Sequence, residues 1–249
     1  MTNNIKIPDY FSPPNFLPIN MVTFSTKNFA NYDSPDRFKK NLKRQPPDWK
    51  YRSKKIVYNV NSNGYRAPEW KDVDWKNSIV VFGCSNVAGI GLADDETISY
   101  QLEKMIGRPV INFGAPASSI EFSFYNSVIL SHYYPTPWAV IQIWTNIERC
   151  VYFEKKLIKH HGVWSKKHAA FQRHNKFLEN ALVKAKMFSM ASCSLWKNTK
   201  YFQSSFFEDT SRYLECPWVE IDNKARDLLH PGKGSANQMA ELIFKNLNT

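Results

Sequence analysis

Between Ser78 and Trp144 the chain alternates short, continuously apolar runs with segments of helical period, and this alternation limits its fold more than any other feature. Ser78-Ile79-Val80-Val81-Phe82 has no polar side to turn toward water, so it reads as a strand covered on both faces. Ile98, Leu102, Met105 and Ile106 then fall at i, i+4, i+7 and i+8, one face of a helix. Asp94, Asp95 and Glu96 suit the positive N-terminal end of that helix, while Gly107 and Pro109 supply its stop. Val110-Ile111-Asn112-Phe113 gives a second strand. Ile120, Phe124, Tyr125, Val128 and Ile129 mark a second helical face, and Trp138 to Trp144 a third strand. A β-α-β-α-β order with buried strands predicts a parallel central sheet with helices on both faces, a three-layer α/β/α sandwich. Pro217 to Ile221 is expected to form a late strand, and Met239, Leu242, Ile243 and Leu247 a closing helix.

The flanks follow other rules. Residues 1–54 contain Pro8, Pro13, Pro14, Pro18, Pro35, Pro46 and Pro47 without sustained periodicity, which predicts an irregular, extended N-terminal arm ahead of an α/β domain at 55–249. Lys55 to Asn61 is expected to be a short strand, and Asn61-Ser62-Asn63-Gly64 a turn in which Gly64 or Asn63 accepts positive φ. Residues 150–200 are expected to form a helical insertion or cap, with a helix from about Ser165 to Lys186 and no clean strand.

Composition narrows the class further. The 249 residues are 43% hydrophobic, enough for one sizeable core and too many for a disordered chain. The longest apolar runs are strand-sized, below the roughly 18 to 20 residues that span a bilayer. Met1 to Lys6 lacks the apolar core of a signal peptide. A soluble protein, cytoplasmic or virion-associated, is the expectation. Cys84, Cys150, Cys193 and Cys216 are widely spaced and predict free thiols. The charge of +11 is partly concentrated in Arg37 to Lys55, a field that favours an acidic polymer or protein partner if it is more than a solvated face. Nucleic acid is not the expected partner. His160, His161, His168 and His174 lack carboxylate or cysteine companions at ligand spacing, so neither a metal site nor a cofactor is expected.

In an open parallel sheet, reactive groups lie beyond the carboxyl ends of the strands. Ser85 follows the first strand, Gly114 the second and Asn146 the third. A serine hydroxyl needs a base to take its proton, and an imidazole suits neutral pH. His230 is the candidate base, and Asp227, three residues earlier, can hold it in the right tautomer. The Ser85 N–H, the Gly114 N–H and the Asn146 amide are suitable donors for an oxyanion. Cys84 is a rival nucleophile that a one-residue offset turns elsewhere. Gly232-Lys233-Gly234-Ser235 lacks the upstream glycine of a phosphate loop.

These residues resemble the SGNH (GDSL-like) hydrolases over about 56–248. Gly83-Cys84-Ser85 with Gly89 matches the nucleophile block, Gly114 the glycine block, Asn146 the asparagine block and Asp227-Leu228-Leu229-His230-Pro231 the Asp-x-x-His block. Asn61-Ser62-Asn63-Gly64-Tyr65-Arg66 looks like a segment that precedes the nucleophile in some carbohydrate acyl-esterase relatives. The resemblance implies a flavodoxin-like sheet and hydrolysis of a small-molecule or glycan ester, acetyl or another short acyl, through an acyl-serine. Two departures stand out: Cys84 replaces the usual Asp beside the nucleophile, and Trp144 the usual Gly before the asparagine block. Asn86, Trp144 and Arg66 are the candidates to line the substrate, and Trp164 and Tyr65 are further aromatic candidates for a sugar site. Two alternatives stay open: an inactive binding or structural protein on this fold, such as a virion or surface-assembly component, and an O-acyltransferase on the same triad. An α/β-hydrolase fits less well, because the second elbow glycine is missing.

Overall fold

The computed structural model of the chain describes residues 15–22, 27–30, 32–154, 157–162 and 177–248. Its centre is a sheet of four parallel strands: β1 (Ile79–Gly83), β2 (Val110–Gly114), β3 (Ala139–Trp144) and β6 (Lys200–Ser205), in the order β2-β1-β3-β6. Gly83 stands opposite Gly114, and Phe82 stands opposite Gln142, so three strand ends reach one edge together. The three strands expected between 78 and 144 are these β1, β2 and β3. The edge strand β6 had no signal of its own, because Lys200, Gln203, Ser204 and Ser205 break its apolar run.

Side chains on β1 alternate between two cores, as strand period 2 requires. Ile79 and Val81, with Ile141 and Ile143 of β3, pack under α3 (Ile98–Ile106) and α7 (Lys233–Leu247). Val80 and Phe82, with Ile111, Phe113 and Val140, pack under α4 (Ile120–Tyr133). Helix α5 (Phe177–Leu195) lies against α4, with the Phe124 and Phe188 rings 4.9 Å apart, and α6 (Glu208–Leu214) follows β6. Helices thus cover both faces, the expected three layers. Thr97 caps α3 by accepting the Tyr100 N–H, and Gly107 ends it at φ 73.

Several local expectations differ from what the chain does. Lys55 to Asn61 joins no ladder, its Tyr58 N–H donating singly to the Lys27 carbonyl at 2.7 Å, although the turn that follows forms with Gly64 at φ 86. Pro217 to Ile221 is reduced to a single bridge between Trp218 and Ser205. A hairpin, β4 (Cys150–Glu154) and β5 (Leu157–His161), occupies ground read as strand-free. Helix α5 continues past Lys186 to Leu195, and 163–176 lie outside the described residues. Part of the expected arm, Pro35–Arg44, is helix α1, started by Ser34 accepting the Arg37 N–H.

The buried face of α4 departs most. Ser123, Asn126 and Ser127 are buried there, while Phe124, Tyr125 and Val128 are only half-buried. Asn126 takes the Leu17 N–H at 2.9 Å and donates to the Tyr65 hydroxyl at 2.8 Å, and Tyr65 donates to the Leu17 carbonyl at 2.7 Å. This closed set of bonds holds residues 16–17 on the sheet, where Phe16 meets Phe113 at 4.8 Å. Phe113 also stacks on Trp70 at 4.7 Å and touches Phe82 and Tyr65. Because it joins β2, the N-terminal segment and the 61–75 loop, Phe113→Ala should lower the unfolding free energy by about 3–5 kcal/mol, read from urea unfolding.

Candidate active site

Immediately beyond β1 the chain enters α2 (Ser85–Ala88), a single turn with buried Cys84 at its N-cap and Gly89 at φ 70 closing it. Cys84 O accepts the Val87 and Ala88 N–H groups, while the Ser85 N–H has no partner among the described residues. Three fixtures hold this turn. Asn112 donates to Val87 O at 2.8 Å, the Arg66 guanidinium donates to Gly89 O at 3.0 Å, and Gly114 lies so close that a Cβ there would sit 2.1 Å from Ala88 N.

Asp227 and His230 meet directly. Asp227 Oδ2 accepts from His230 Nδ1 at 2.5 Å, and Oδ1 accepts the Leu229 and His230 N–H groups at 3.1 Å. The carboxylate closes a turn, with Leu228 at φ 59, rather than the first turn of a helix. A carboxylate only accepts, so Nδ1 carries the proton and Nε2 is the basic nitrogen. Burial pushes the Asp227 carboxyl up, but the His230 bond and charge and the two backbone donors outweigh it and hold the group below the ordinary carboxylate range.

This turn is docked onto the segment that continues from α2. Arg226 N–H donates to Gly91 O at 3.0 Å, and a Cβ on Gly91 would lie 2.8 Å from Ala225 Cβ and 3.3 Å from Asp227 N. Behind it stands a buried ion pair. Arg226 reaches Asp33 at 3.0 and 2.7 Å and the Asn28 carbonyl at 2.5 Å, and it lies over the Phe29 and Phe38 rings. Tyr58 donates to Asp33 at 2.6 Å and accepts the Gly91 N–H at 2.7 Å, and Asn41 donates to Arg226 O at 2.9 Å. Sequence reasoning missed Asp33, Tyr58 and Arg226, because residues 193 apart in the chain leave no periodic or spacing signal. Tyr32, also unforeseen, places its ring 6.4 Å from that of His230 and stays 40% exposed.

Other expected site residues do something else. Arg66 does not line a substrate: it is buried and binds Asp94 at 2.7 Å and the carbonyls of Gly89 and Leu92. Trp144 is not a pocket wall either, being 1% exposed among Ile120, Ile147, Ala185 and Leu214 and bonded to Gln203 at 2.9 Å. Tyr65 is likewise buried. The Gly114 N–H, expected to face an oxyanion, donates to Asn112 Oδ1 at 2.8 Å, so Gly114 supplies space for α2 instead of a free donor. Beyond it Ala117 holds φ 62, and its N–H has no partner among the described residues. Alanine carries no sequence signal for that conformation.

Asn146 lies two residues past β3, and its Oδ1 accepts the Glu148 N–H at 2.8 Å, while its Nδ2 group has no partner among the described residues. It lines a cavity of about 460 Å³ with Ile147, Leu182 and Tyr213; a second, of about 350 Å³, lies between α4, β4 and α5. Neither is lined by Ser85 or His230. Asn86 is buried within α2. Among the described residues no three metal-ligating side chains cluster, and no helix is long and apolar enough to cross a membrane. Trp164, His168 and His174 lie outside the described residues, as do the side chains of His160 and His161.

The fold and these groups define a parallel α/β protein with a hydroxyl beyond its first sheet strand and a carboxylate–imidazole pair on a late loop. The chain is similar to a solved structure assigned as a lipolytic protein of the G-D-S-L family from Desulfitobacterium hafniense DCB-2, at 11% identity and TM-score 0.42, covering 69% of this chain and 99% of that one. It is also similar to one assigned as a GDSL-like lipase from Bacteroides uniformis ATCC 8492, at 10% identity and TM-score 0.40, covering 68% and 94%. No protein-family model matches the sequence, and no curated protein matches it.

Two outcomes follow from these contacts. Since the Asp227 carboxyl is held low, its contribution to stability is full above the ordinary carboxylate value, about 4, and is lost as pH falls through the lower folded value. Asp227→Asn should therefore flatten the acid limb of stability against pH in urea titrations, and an unchanged limb would contradict the pairing. Asp33→Asn or Arg226→Met alone leaves a buried charge unmatched and should cost about 3–5 kcal/mol, while the double change Asp33→Leu/Arg226→Met should recover most of that loss in the same assay.

Proposed function

We propose that this chain is a serine hydrolase of the SGNH (GDSL-like) type, cleaving a short acyl ester. The observation that carries the reading is the Asp227–His230 bond at 2.5 Å, in a turn bonded to the segment leading from Ser85. Ser85 Oγ attacks the acyl carbonyl while His230 Nε2 takes its proton. Asp227 keeps Nδ1 protonated and steadies the imidazolium that forms. The alkoxide of the tetrahedral intermediate is met by the Ser85 N–H, the Asn146 Nδ2 group and, in place of Gly114, the Ala117 N–H. One such donor lowers the barrier by roughly 3 kcal/mol. Collapse expels the alcohol, which takes the proton from His230. Water, deprotonated by the same nitrogen, then releases the acid and restores the serine.

Ser85→Ala should lower kcat on p-nitrophenyl acetate by at least about 10⁴-fold. In the wild type a fluorophosphonate probe should label Ser85 alone, located by peptide mass spectrometry. An active Ser85→Ala protein, or folded wild type that takes no label, would refute the assignment.

A further inference from the structure

The exposed cations of α1 stand on a helix fastened through Asn41 to Arg226, the residue before Asp227, and from that placement we infer that the esterified substrate is an anionic polysaccharide whose chain lies across this helix. This inference rests on the esterase reading and names its substrate class.

Helix α1 has two unlike faces. Phe38 and Asn41 point inward, the ring over the Arg226 guanidinium and the amide onto the Arg226 carbonyl. Lys39, Lys40, Lys43 and Arg44 are exposed, and none forms an ion pair with a carboxylate among the described residues. Neighbouring cations are used differently. Lys50 pairs with buried Glu96 at 3.0 Å, Lys54 pairs with Glu96 and Asp95, and Arg52 caps α1 by donating to the carbonyls of Leu42, Gln45 and Pro46. Among the described residues the four outward cations have no such internal work. Part of the net charge of +11 is therefore gathered on one free face instead of being spent on folding.

Position connects that face to the chemistry. Asn41 and Asp33 fasten the segment to Arg226, the residue before Asp227. Tyr32, two residues ahead of the Ser34 cap, has its exposed ring beside His230. A polymer whose ester is at Ser85 would leave His230 over the flat Tyr32 ring and meet the cations along the helix. A ten-residue helix runs about 15 Å, long enough for repeated carboxylates to find them.

The rings nearby choose among polyanions. Binding of single-stranded nucleic acid combines cations with exposed rings on which bases stack. Here Phe38 and Trp49 pack inward, 6.2 Å apart, with Trp49 against Tyr51, so among the described residues the cationic face has no such row of platforms. Among the described aromatic residues of this segment Tyr32 is the exposed one, which suits a sugar face beside the scissile ester.

The test compares acetylated polygalacturonate, an acetylated neutral mannan and p-nitrophenyl acetate. For the wild type, raising NaCl from about 50 to about 500 mM should lower kcat/KM on the anionic polymer at least tenfold and change it by less than about twofold on p-nitrophenyl acetate. In a Lys39→Gln/Lys40→Gln/Lys43→Gln/Arg44→Gln protein, the ratio of kcat/KM on the anionic polymer to that on p-nitrophenyl acetate should fall at least about tenfold and its salt dependence should flatten. An unchanged ratio, or a wild type that prefers the neutral mannan, would overturn the inference. Titration calorimetry with unesterified polygalacturonate separates this from the esterase reading. If no ester is cleaved and Ser85 takes no probe, that reading fails, yet tight binding by the wild type and loss in the quadruple variant still support the surface. Equal binding by both proteins, or tighter binding of a single-stranded oligonucleotide, counts against it.

Discussion

The ion pair between Asp33 and Arg226 is the contact on which the candidate site depends. Both side chains are almost completely buried, and an isolated charge there would cost several kcal/mol to desolvate. It is tolerable because both members have further partners: Asp33 also receives Tyr58, and Arg226 also reaches the Asn28 carbonyl and two aromatic faces. A buried pair of this kind adds little net stability compared with apolar packing, but it tolerates few alternative geometries. Its effect is to fix where three distant stretches of chain meet: residues 28–41, residues 58–91 and the loop carrying Asp227 and His230. The N-terminal segment is thus part of the framework that aims the imidazole.

A second clamp acts from the opposite side. Arg66, bonded to Asp94 and to the carbonyls of Gly89 and Leu92, fixes the loop that leaves α2, and Tyr58 lies beneath its guanidinium at 5.0 Å. Tyr58 therefore touches both arginines' networks, through its ring in one case and its hydroxyl in the other. Gly91, between them, gives its N–H to Tyr58 and its carbonyl to Arg226. The turn after β1, which carries Ser85, and the turn bearing His230 are joined through Gly91. Movement of either would break bonds in both.

What could be read in advance divides along physical lines. The strands β1 to β3 were legible because burial on both faces leaves a continuous apolar run, and helices α3 and α7 because each buries one apolar face that repeats with helical period. Asp227 and His230 were legible because their pairing is local. The inward face of α4 was not, since Ser123, Asn126 and Ser127 are buried by hydrogen bonds and small size, which periodicity counts as exposure. Strand β6 escaped for a related reason: its polar residues are satisfied inside, Gln203 by Trp144 and Ser189, and Ser205 by the Trp144 carbonyl. Trp144 and Arg66 carried the opposite error. Their residue types suggest ligand contact, whereas partners remote in sequence consume them.

Glycine is required in proteins for two separate reasons, absence of a side chain and freedom to adopt positive φ, and reading a sequence merges them. In this chain the two requirements fall on different residues of one loop. Gly114 answers to space alone, since any Cβ would collide with the backbone of α2, and its N–H is spent on Asn112. The positive φ falls to Ala117, at a cost of roughly 1–2 kcal/mol for an L-residue. That strain is sustained by the surrounding bonds: Ala115 N–H and the Ser118 hydroxyl both donate to Gly83 O, and Ser118 N–H closes onto Ala115 O. The loop is therefore tied to the end of β1, one residue before the turn that begins α2. Strain held this close to Ser85 keeps the Ala117 N–H out of the local bonding that would otherwise absorb it, which is the condition a donor must meet to serve a transient oxyanion.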